Sequence, residues 1–213
     1  DKDIKSFYAA NTTSASFKAM KHLYRMDDDA VAASETHLSR KETLKMLRSM
    51  RKDEKWWAAG SSGYRECGQV GLSAGMMMMA KRDRDVLIPH VDDEGITSDP
   101  RCISCVLKGD TDVVLKHIYG QVGIGLKGAN YEMIRDIAAA TNGGRRFVIA
   151  MGDFNIKPEI LEASGPLETY GLTLVKPDNV DITCTSGDGA MLDYALVTTN
   201  FLGAIVSLKA DTT

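Results

Sequence analysis

Val148-Ile149-Ala150-Met151-Gly152-Asp153-Phe154-Asn155 is a β-branched run that drives into a glycine, then into a carboxylate and an amide two residues apart. Val and Ile pack well on a pleated surface, so the run reads as a buried strand. Its polar end has two readings. In one, the strand period of two carries Asp153 and Asn155 onto one face at the sheet edge. There a carboxylate and an amide can grip a phosphate, a water or a hard cation. In the other, the strand simply closes in an Asx-type turn. Gly152 suits a sharp turn or a close approach of backbone to a ligand.

Four other apolar segments carry a polar side chain at or near an end. Phe7-Tyr8-Ala9-Ala10 runs into Asn11, and Val31-Ala32-Ala33-Ser34 runs into Glu35. Val113–Ile118 ends on Tyr119 and is followed by Gly120, while Ala190–Val197 holds Asp193 within a strand-like run. Buried charges are costly unless paired or bound to metal, so repeated placement at strand ends points to one shared site.

These segments, in this order, resemble the endonuclease/exonuclease/phosphatase superfamily, whose members include deoxyribonuclease I, apurinic/apyrimidinic endonucleases, retroelement endonucleases, sphingomyelinases and inositol polyphosphate phosphatases. Asn11 resembles the Asn after the family's first strand. Ser34-Glu35-Thr36 resembles its Gln-Glu-Thr motif, with Glu35 at the metal-binding Glu. His117-Ile118-Tyr119 resembles the strand ending in a catalytic Tyr. Gly152–Asn155 matches Gly-Asp-Phe-Asn in full, and Leu192-Asp193-Tyr194 resembles the Asp-Tyr strand. The resemblance spans nearly the whole chain. It implies a four-layered α/β sandwich of two packed β-sheets flanked by helices, formed by residues 1–213 as a single domain.

The departures carry information too. The family motif closes on Ser-Asp-His or Pro-His, whereas no His follows His117 here. Ser34 stands where the family has Gln, and Gln121-Val122-Gly123 stands where an Asn often follows the Tyr. The chain also starts at Asp1. The expectation is therefore a C-terminally truncated domain lacking the last strand and its His.

At 213 residues the chain is long enough for one sizeable core, and no linker or internal repeat divides it. A net charge of −3 gives no support to a uniformly basic nucleic-acid glove. Arg40, Lys41, Lys45, Arg48, Arg51, Lys52 and Lys55 do cluster along one expected helix, as a solvated face or as a phosphate-contact surface. Cys102 and Cys105 form a lone Cys-x-x-Cys with no second pair, which favours ordinary thiols over a zinc site. Cys67 and Cys184 complete the four cysteines, a usage that suits a reducing, intracellular setting, nuclear or cytoplasmic. No stretch reaches the roughly 18–20 apolar residues of a membrane span.

Expected strands are 4–10, 30–34, 76–80, 84–88, 102–107, 112–119, the run into Asp153, 172–175 and the Asp193 run, with a further strand-like run over 204–209. Expected helices are 15–26, capped from Thr12, Thr13 or Ser14, then 40–55 and 130–140, with a short helix or turn from Pro158. Trp56-Trp57 are expected to anchor the end of the 40–55 helix. Residues 60–75 read as a Gly-rich loop. Met76–Met79 reads as core filler. Asp92, Asp93 and Glu94 read as a solvated turn or a cation site.

Phosphodiester hydrolysis needs a cation to neutralise the phosphate, a positioned water and stabilised transition-state charge. By resemblance, Glu35 would hold Mg²⁺ or Mn²⁺, with Asn11 orienting Glu35 or a metal-bound water. Asp153 would position or deprotonate the water, Asn155 and Tyr119 would contact the phosphate, and Asp193 would fix the missing His. Each has a plainer alternative: a core tyrosine, a salt-bridged Asp193, a helix-capping Glu35. His37, two after Glu35, is either a replacement base or a surface residue. His117 reads as a partly buried strand residue. The substrate would be nucleic acid or another phosphodiester, with oligomeric state open. Alternatives are a non-catalytic binding domain that keeps the fold, or a retroelement endonuclease domain.

Overall fold

The structure is a computed structural model, and it describes residues 5–12, 19, 22–52, 54–65, 71–185 and 189–210. The chain forms two compact units, Asp1–Asp110 and Thr111–Thr213. Half of the predicted helix over 15–26, and Cys67, fall outside the described residues; of the described half, Leu23 is buried.

The first unit contains β1 (Phe7–Asn11), β2 (Ala30–Ser34), α1 (Arg40–Arg51), β3 (Trp56–Gly60), β4 (Met76–Lys81), β5 (Val86–Leu87) and β6 (Cys102–Leu107). Its four-stranded sheet has the order β1-β2-β4-β3. β1 and β2 run parallel, pairing Phe7 with Ala30 through to Asn11 with Ser34. β4 is antiparallel to both β2 and β3. Small residues let β2 sit in the middle of this sheet: Ala30, Val31, Ala32, Ala33 and Ser34 are all buried.

Strand alternation divides the four methionines of β4 between the two faces of the sheet. Met77 and Met79 pack in a core with Val31, Leu47, Met50 and Trp56, against α1. Met76 and Met78 occupy the opposite face and are equally buried. An unbranched thioether suits such a place because it fills irregular gaps.

β3 overturns the expectation that Trp56-Trp57 close a long helix. α1 stops at Arg51, and the aromatic pair opens an edge strand in which Trp56 is buried and Trp57 is 44% exposed. Aromatic residues favour strands, and alternation sends consecutive ones to opposite faces. The Arg82 guanidinium covers the Trp57 ring at 4.5 Å. A capping box starts α1: Glu42 N–H donates to Ser39 Oγ at 3.4 Å, and Ser39 N–H donates to Glu42 Oε2 at 2.9 Å.

The basic face of α1 is not simply solvated. Arg40 pairs with Asp92 at 3.4 Å and Glu94 at 3.0 Å, and Arg48 pairs with Glu94 at 3.3 Å. Asp92 Oδ1 also accepts the N–H groups of Glu94 (3.0 Å) and Ile96 (2.8 Å). These backbone bonds, led by that of Ile96, hold the Asp92 carboxyl below its ordinary pKa. Asp92 and Glu94 thus close a turn and neutralise arginines.

The second unit contains β7 (Val113–Tyr119), α2 (Gly128–Ala140), β8 (Phe147–Asp153), α3 (Pro158–Ala163), α4 (Pro166–Tyr170), β9 (Leu172–Val175) and β10 (Asp193–Thr198). Its strands are ordered β7-β8-β10-β9, with β7 parallel to β8 and β10 antiparallel to both neighbours. α2 buries Ile134 and Ile137 and touches β8. α4, which the sequence reading passed over, starts at Pro166 and ends on a left-handed Gly171. The run 204–209 is not a strand. A 3-10 turn occupies Thr199–Ala204, where Phe201 stacks on Phe147 at 5.0 Å. The segment after it is held irregularly, with Asp178 N–H donating to Leu208 O at 2.9 Å. The predicted strand at 84–88 contracts to Val86–Leu87, paired with Leu107 and Val106.

Candidate active site

In the second unit, three predicted residues fall side by side at the ends of three adjacent strands. Tyr119 of β7 is the ladder partner of Asp153 of β8, and Asp153 is the ladder partner of Asp193 of β10. Ladder partners share a face of the sheet, with Cβ atoms about 4.5–5.5 Å apart. The row thus gathers a phenol and two carboxylates at one end of the sheet. Tyr119 is buried, while Asp153 and Asp193 are half-buried.

Beyond Asp153 the chain leaves the strand. Asn155 sits at φ 51°, and its N–H donates to Asp153 Oδ1 at 2.9 Å. Asn155 is therefore not one strand period along; the Asx turn is real. The turn nonetheless serves the site, because Asn155 Nδ2 donates to Gly120 O at 3.0 Å, immediately after Tyr119. Gly120 N–H in turn donates to Asp153 O at 2.7 Å. A Cβ on Gly120 would lie 1.8 Å from Phe154 O, so only glycine fits. Gly152 plays the same part inside the ladder: at φ 145°, a Cβ there would lie 2.2 Å from Ile118 O. It serves close approach to β7, not to a ligand.

Phe154 points away into the core and stacks on Tyr194, centroids 4.3 Å apart and planes within 6°. Tyr194 Oη donates to Ile156 O at 3.0 Å. Burial raises the Tyr194 pKa, keeping its phenol neutral. The stack bolts the turn to β10 from beneath.

Burial also raises the Asp193 carboxyl pKa, opposed by a hydrogen bond from Thr183. Thr183 Oγ1 further accepts the N–H groups of Leu192 and Asp193, each at 3.0 Å. Asn130 is the other residue the sequence reading missed. Buried in the first turn of α2, it accepts the Gln121 N–H at 2.7 Å and donates to Gln121 O at 3.0 Å and Gly125 O at 2.9 Å. It ties down the loop that leaves Tyr119. A separate open groove of about 250 Å³, lined by Leu126, Tyr131, Pro166, Thr169 and Tyr170 among others, includes none of the predicted residues.

In the first unit, Asn11 and Glu35 lie at the C-terminal ends of two adjacent parallel strands. Asn11 pairs with Ser34, and Glu35 follows it directly. The strands are about 4.8 Å apart at this point. Glu35 and His37 both have left-handed backbones, at φ 54° and 53°, and Glu35 Oε1 lies 3.9 Å from His37 Nε2. Glu35 does not cap α1; Ser39 does. An amide and a carboxylate at the ends of neighbouring strands are oxygen donors of the kind Mg²⁺ takes, one or two at a time, while it keeps most of its waters. Among the described residues, no three His, Cys, Asp or Glu side chains converge as a metal cage. Cys102, Cys105 and Cys184 are not joined in disulfides, and burial lifts the Cys105 pKa to about 12. His117 is buried in β7, its Nδ1 3.1 Å from Met151 O.

The sequence model of the Endonuclease/Exonuclease/phosphatase family matches residues 10–208, and the chain belongs to that family. Solved structures share its deoxyribonuclease I-like α/β fold. A 3'-5' exonuclease (NExo) from Neisseria meningitidis superposes with a TM-score of 0.63 at 17% identity, covering 96% of this chain and 91% of its own. The AP endonuclease LMAP from Leishmania major gives 0.67 at 12% identity, with 94% and 81% covered. The endonuclease domain of TRAS1, a telomere-specific non-LTR retrotransposon, gives 0.60 at 15% identity, with 92% and 85% covered. No curated protein sequence matches the chain. Among the described residues, no helix is long and apolar enough to cross a membrane.

Proposed function

We propose that this chain is a divalent-metal-dependent phosphodiester hydrolase domain of the nuclease kind, acting on nucleic acid. The observation that carries the reading is the row Tyr119–Asp153–Asp193 across three neighbouring strands, with Asn155 hydrogen-bonded into the same rim. Support for the substrate class comes from the similar folds of an exonuclease and two endonucleases, and from a Neisseria relative solved with a product DNA hairpin.

The roles follow the family motifs residue by residue. Glu35 holds Mg²⁺ or Mn²⁺, with Asn11 beside it. When bound, the ion neutralises phosphate charge and polarises the phosphoryl oxygen. Asp153 accepts the proton of the attacking water. Asn155 donates from its amide to a phosphate oxygen once the Gly120 contact is exchanged for substrate. Tyr119 Oη donates to the phosphate.

Asp193 is the residue that would orient the family's C-terminal His. These 213 residues contain no His after His117. A polypeptide of this sequence therefore hydrolyses DNA slowly, since an acid/base His contributes roughly 10²–10⁴-fold. Appending an extension with Asp-His or Pro-His raises the rate. The internal departures, Ser34 in place of Gln and Gln121-Val122-Gly123 in place of the Asn, together with the net charge of −3, favour a second reading, a binding domain that retains the fold; a retroelement endonuclease domain is a special case of the first.

Thermal unfolding in Mg²⁺ and cleavage of duplex DNA separate these readings. The hydrolase reading expects Mg²⁺ to raise Tm, an effect lost in Glu35→Gln, together with residual Mg²⁺-dependent cleavage. Absence of both leaves the binding domain.

A further inference from the structure

We infer that His37 supplies a nitrogen donor beside Glu35, so that this rim binds borderline divalent ions such as Co²⁺, Ni²⁺ or Zn²⁺ through a mixed oxygen and nitrogen donor set. The inference rests on Glu35 being the metal ligand and refines which metals it accepts.

Two residues out of three in Glu35–His37 take up a left-handed backbone although neither is glycine. Side chains disfavour that region sterically, and such outliers persist only where surrounding structure enforces them. Here the enforcement is visible. Thr36 N–H donates to Gly75 O at 3.2 Å, His37 N–H donates to Ala74 O at 3.0 Å, and Gly63 N–H donates to Leu38 O at 2.9 Å. Thr36 is buried between its neighbours, while the side chains of Glu35 and His37 stay 19% and 32% exposed. The local fold thus delivers both functional groups to solvent on one rim.

The 3.9 Å between Glu35 Oε1 and His37 Nε2 is too long for a hydrogen bond. A partly exposed ion pair at that separation contributes little. Two donors each about 2.1 Å from one cation lie about 3 Å apart when adjacent and about 4.2 Å apart when opposed. The observed 3.9 Å matches neither, so the two partly exposed side chains must close by about 1 Å to sit as adjacent ligands. Imidazole suits Zn, Cu, Fe and Ni, whereas all-oxygen sets suit Mg and Mn. An imidazole next to the carboxylate therefore widens the metal preference.

The test compares the 213-residue chain with His37→Asn and Glu35→Gln. Asn tolerates the left-handed backbone, so the first variant keeps the turn, and circular dichroism checks the fold. Calorimetry measures Kd for Co²⁺ and Mg²⁺, and pulsed electron paramagnetic resonance on bound Mn²⁺ detects a coupled nitrogen. The expected result is that His37→Asn weakens Co²⁺ by roughly 10–100-fold, leaves Mg²⁺ essentially unchanged and removes the nitrogen coupling, while Glu35→Gln weakens both metals. If His37→Asn affects Co²⁺ and Mg²⁺ alike, or neither, and no nitrogen couples in the parent, the role of His37 is overturned and Glu35 remains the ligand. If Glu35→Gln alters neither Kd, the metal role of Glu35 itself falls, and this inference with it.

Discussion

The Asp153 carboxylate accepts the Asn155 backbone N–H at 2.9 Å, and that bond turns the Asn155 amide back toward Gly120, one residue past Tyr119. Under the proposed function, Asp153 both closes this turn and accepts the proton of the attacking water. Substitutions can separate the two duties. Asp153→Asn keeps an oxygen acceptor for the turn but cannot take a proton. It should leave Tm within about 1 °C of the parent and lower the hydrolysis rate by roughly 10²–10⁴-fold. Asp153→Ala should lose the same activity and in addition about 1–3 kcal/mol of stability, read by urea unfolding.

Gly120 and Gly152 are fixed by backbone atoms that cannot move aside. A Cβ would meet Phe154 O at 1.8 Å in one case and Ile118 O at 2.2 Å in the other. Gly120→Ala and Gly152→Ala should each cost at least about 3 kcal/mol, lowering Tm by about 6–12 °C in a differential scan. A smaller drop would mean that β7 and β8 separate more easily than their ladder suggests.

Asn130 makes three hydrogen bonds to the Gln121–Gly125 loop while buried. Asn130→Ala strands those backbone groups and should cost about 2–4 kcal/mol. Hydrogen exchange at the Gln121 amide should accelerate in the variant. Hydrolysis should fall although Asn130 touches no reacting group, because Tyr119 loses the anchor of the loop that follows it.

Asp193 has a pH signature. Burial raises its folded pKa above the ordinary 3.8, so between those two values the folded state holds a proton that the unfolded state has lost. Its contribution to stability is therefore intact below the unfolded pKa and is lost as pH rises through the folded one. Asp193→Asn removes that loss. The variant should have a higher Tm than the parent at pH 7, and the gain should vanish near pH 3. Equal Tm values at pH 7 would place the carboxylate in a better-solvated setting than the structure indicates.

The sequence disclosed the elements with strong internal patterns. Ala30–Ser34, Cys102–Leu107 and Leu172–Val175 appear with the predicted ends, because apolar runs and turn residues bound them on both sides. It was less informative where one residue type serves two purposes. Trp56-Trp57 reads equally as a helix anchor or the start of an edge strand, and only pairing with Ala80 and Lys81 decides. The basic face of α1 looked open to phosphate because its counter-charges, Asp92 and Glu94, lie some fifty positions away in the chain. Thr183 and Asn130 carried no local signal, since both work through contacts that only folding creates. The motif residues were legible as a set through resemblance. For the path from Asp153 to Asn155 the sequence left two readings open, a continued strand and an Asx-type turn, and the bond from Asn155 N–H to Asp153 Oδ1 selects the turn.

The methionine strand has a consequence of its own. Met76, Met77, Met78 and Met79 are each at most 2% exposed, and they alternate between the two faces of β4. Peroxide cannot reach these thioethers while the sheet is closed, whereas a sulfoxide formed on either face would bring a polar S=O group into a dry interior. Their rate of oxidation therefore clocks how often this strand opens, and damage taken before the sheet closes would prevent it from closing well.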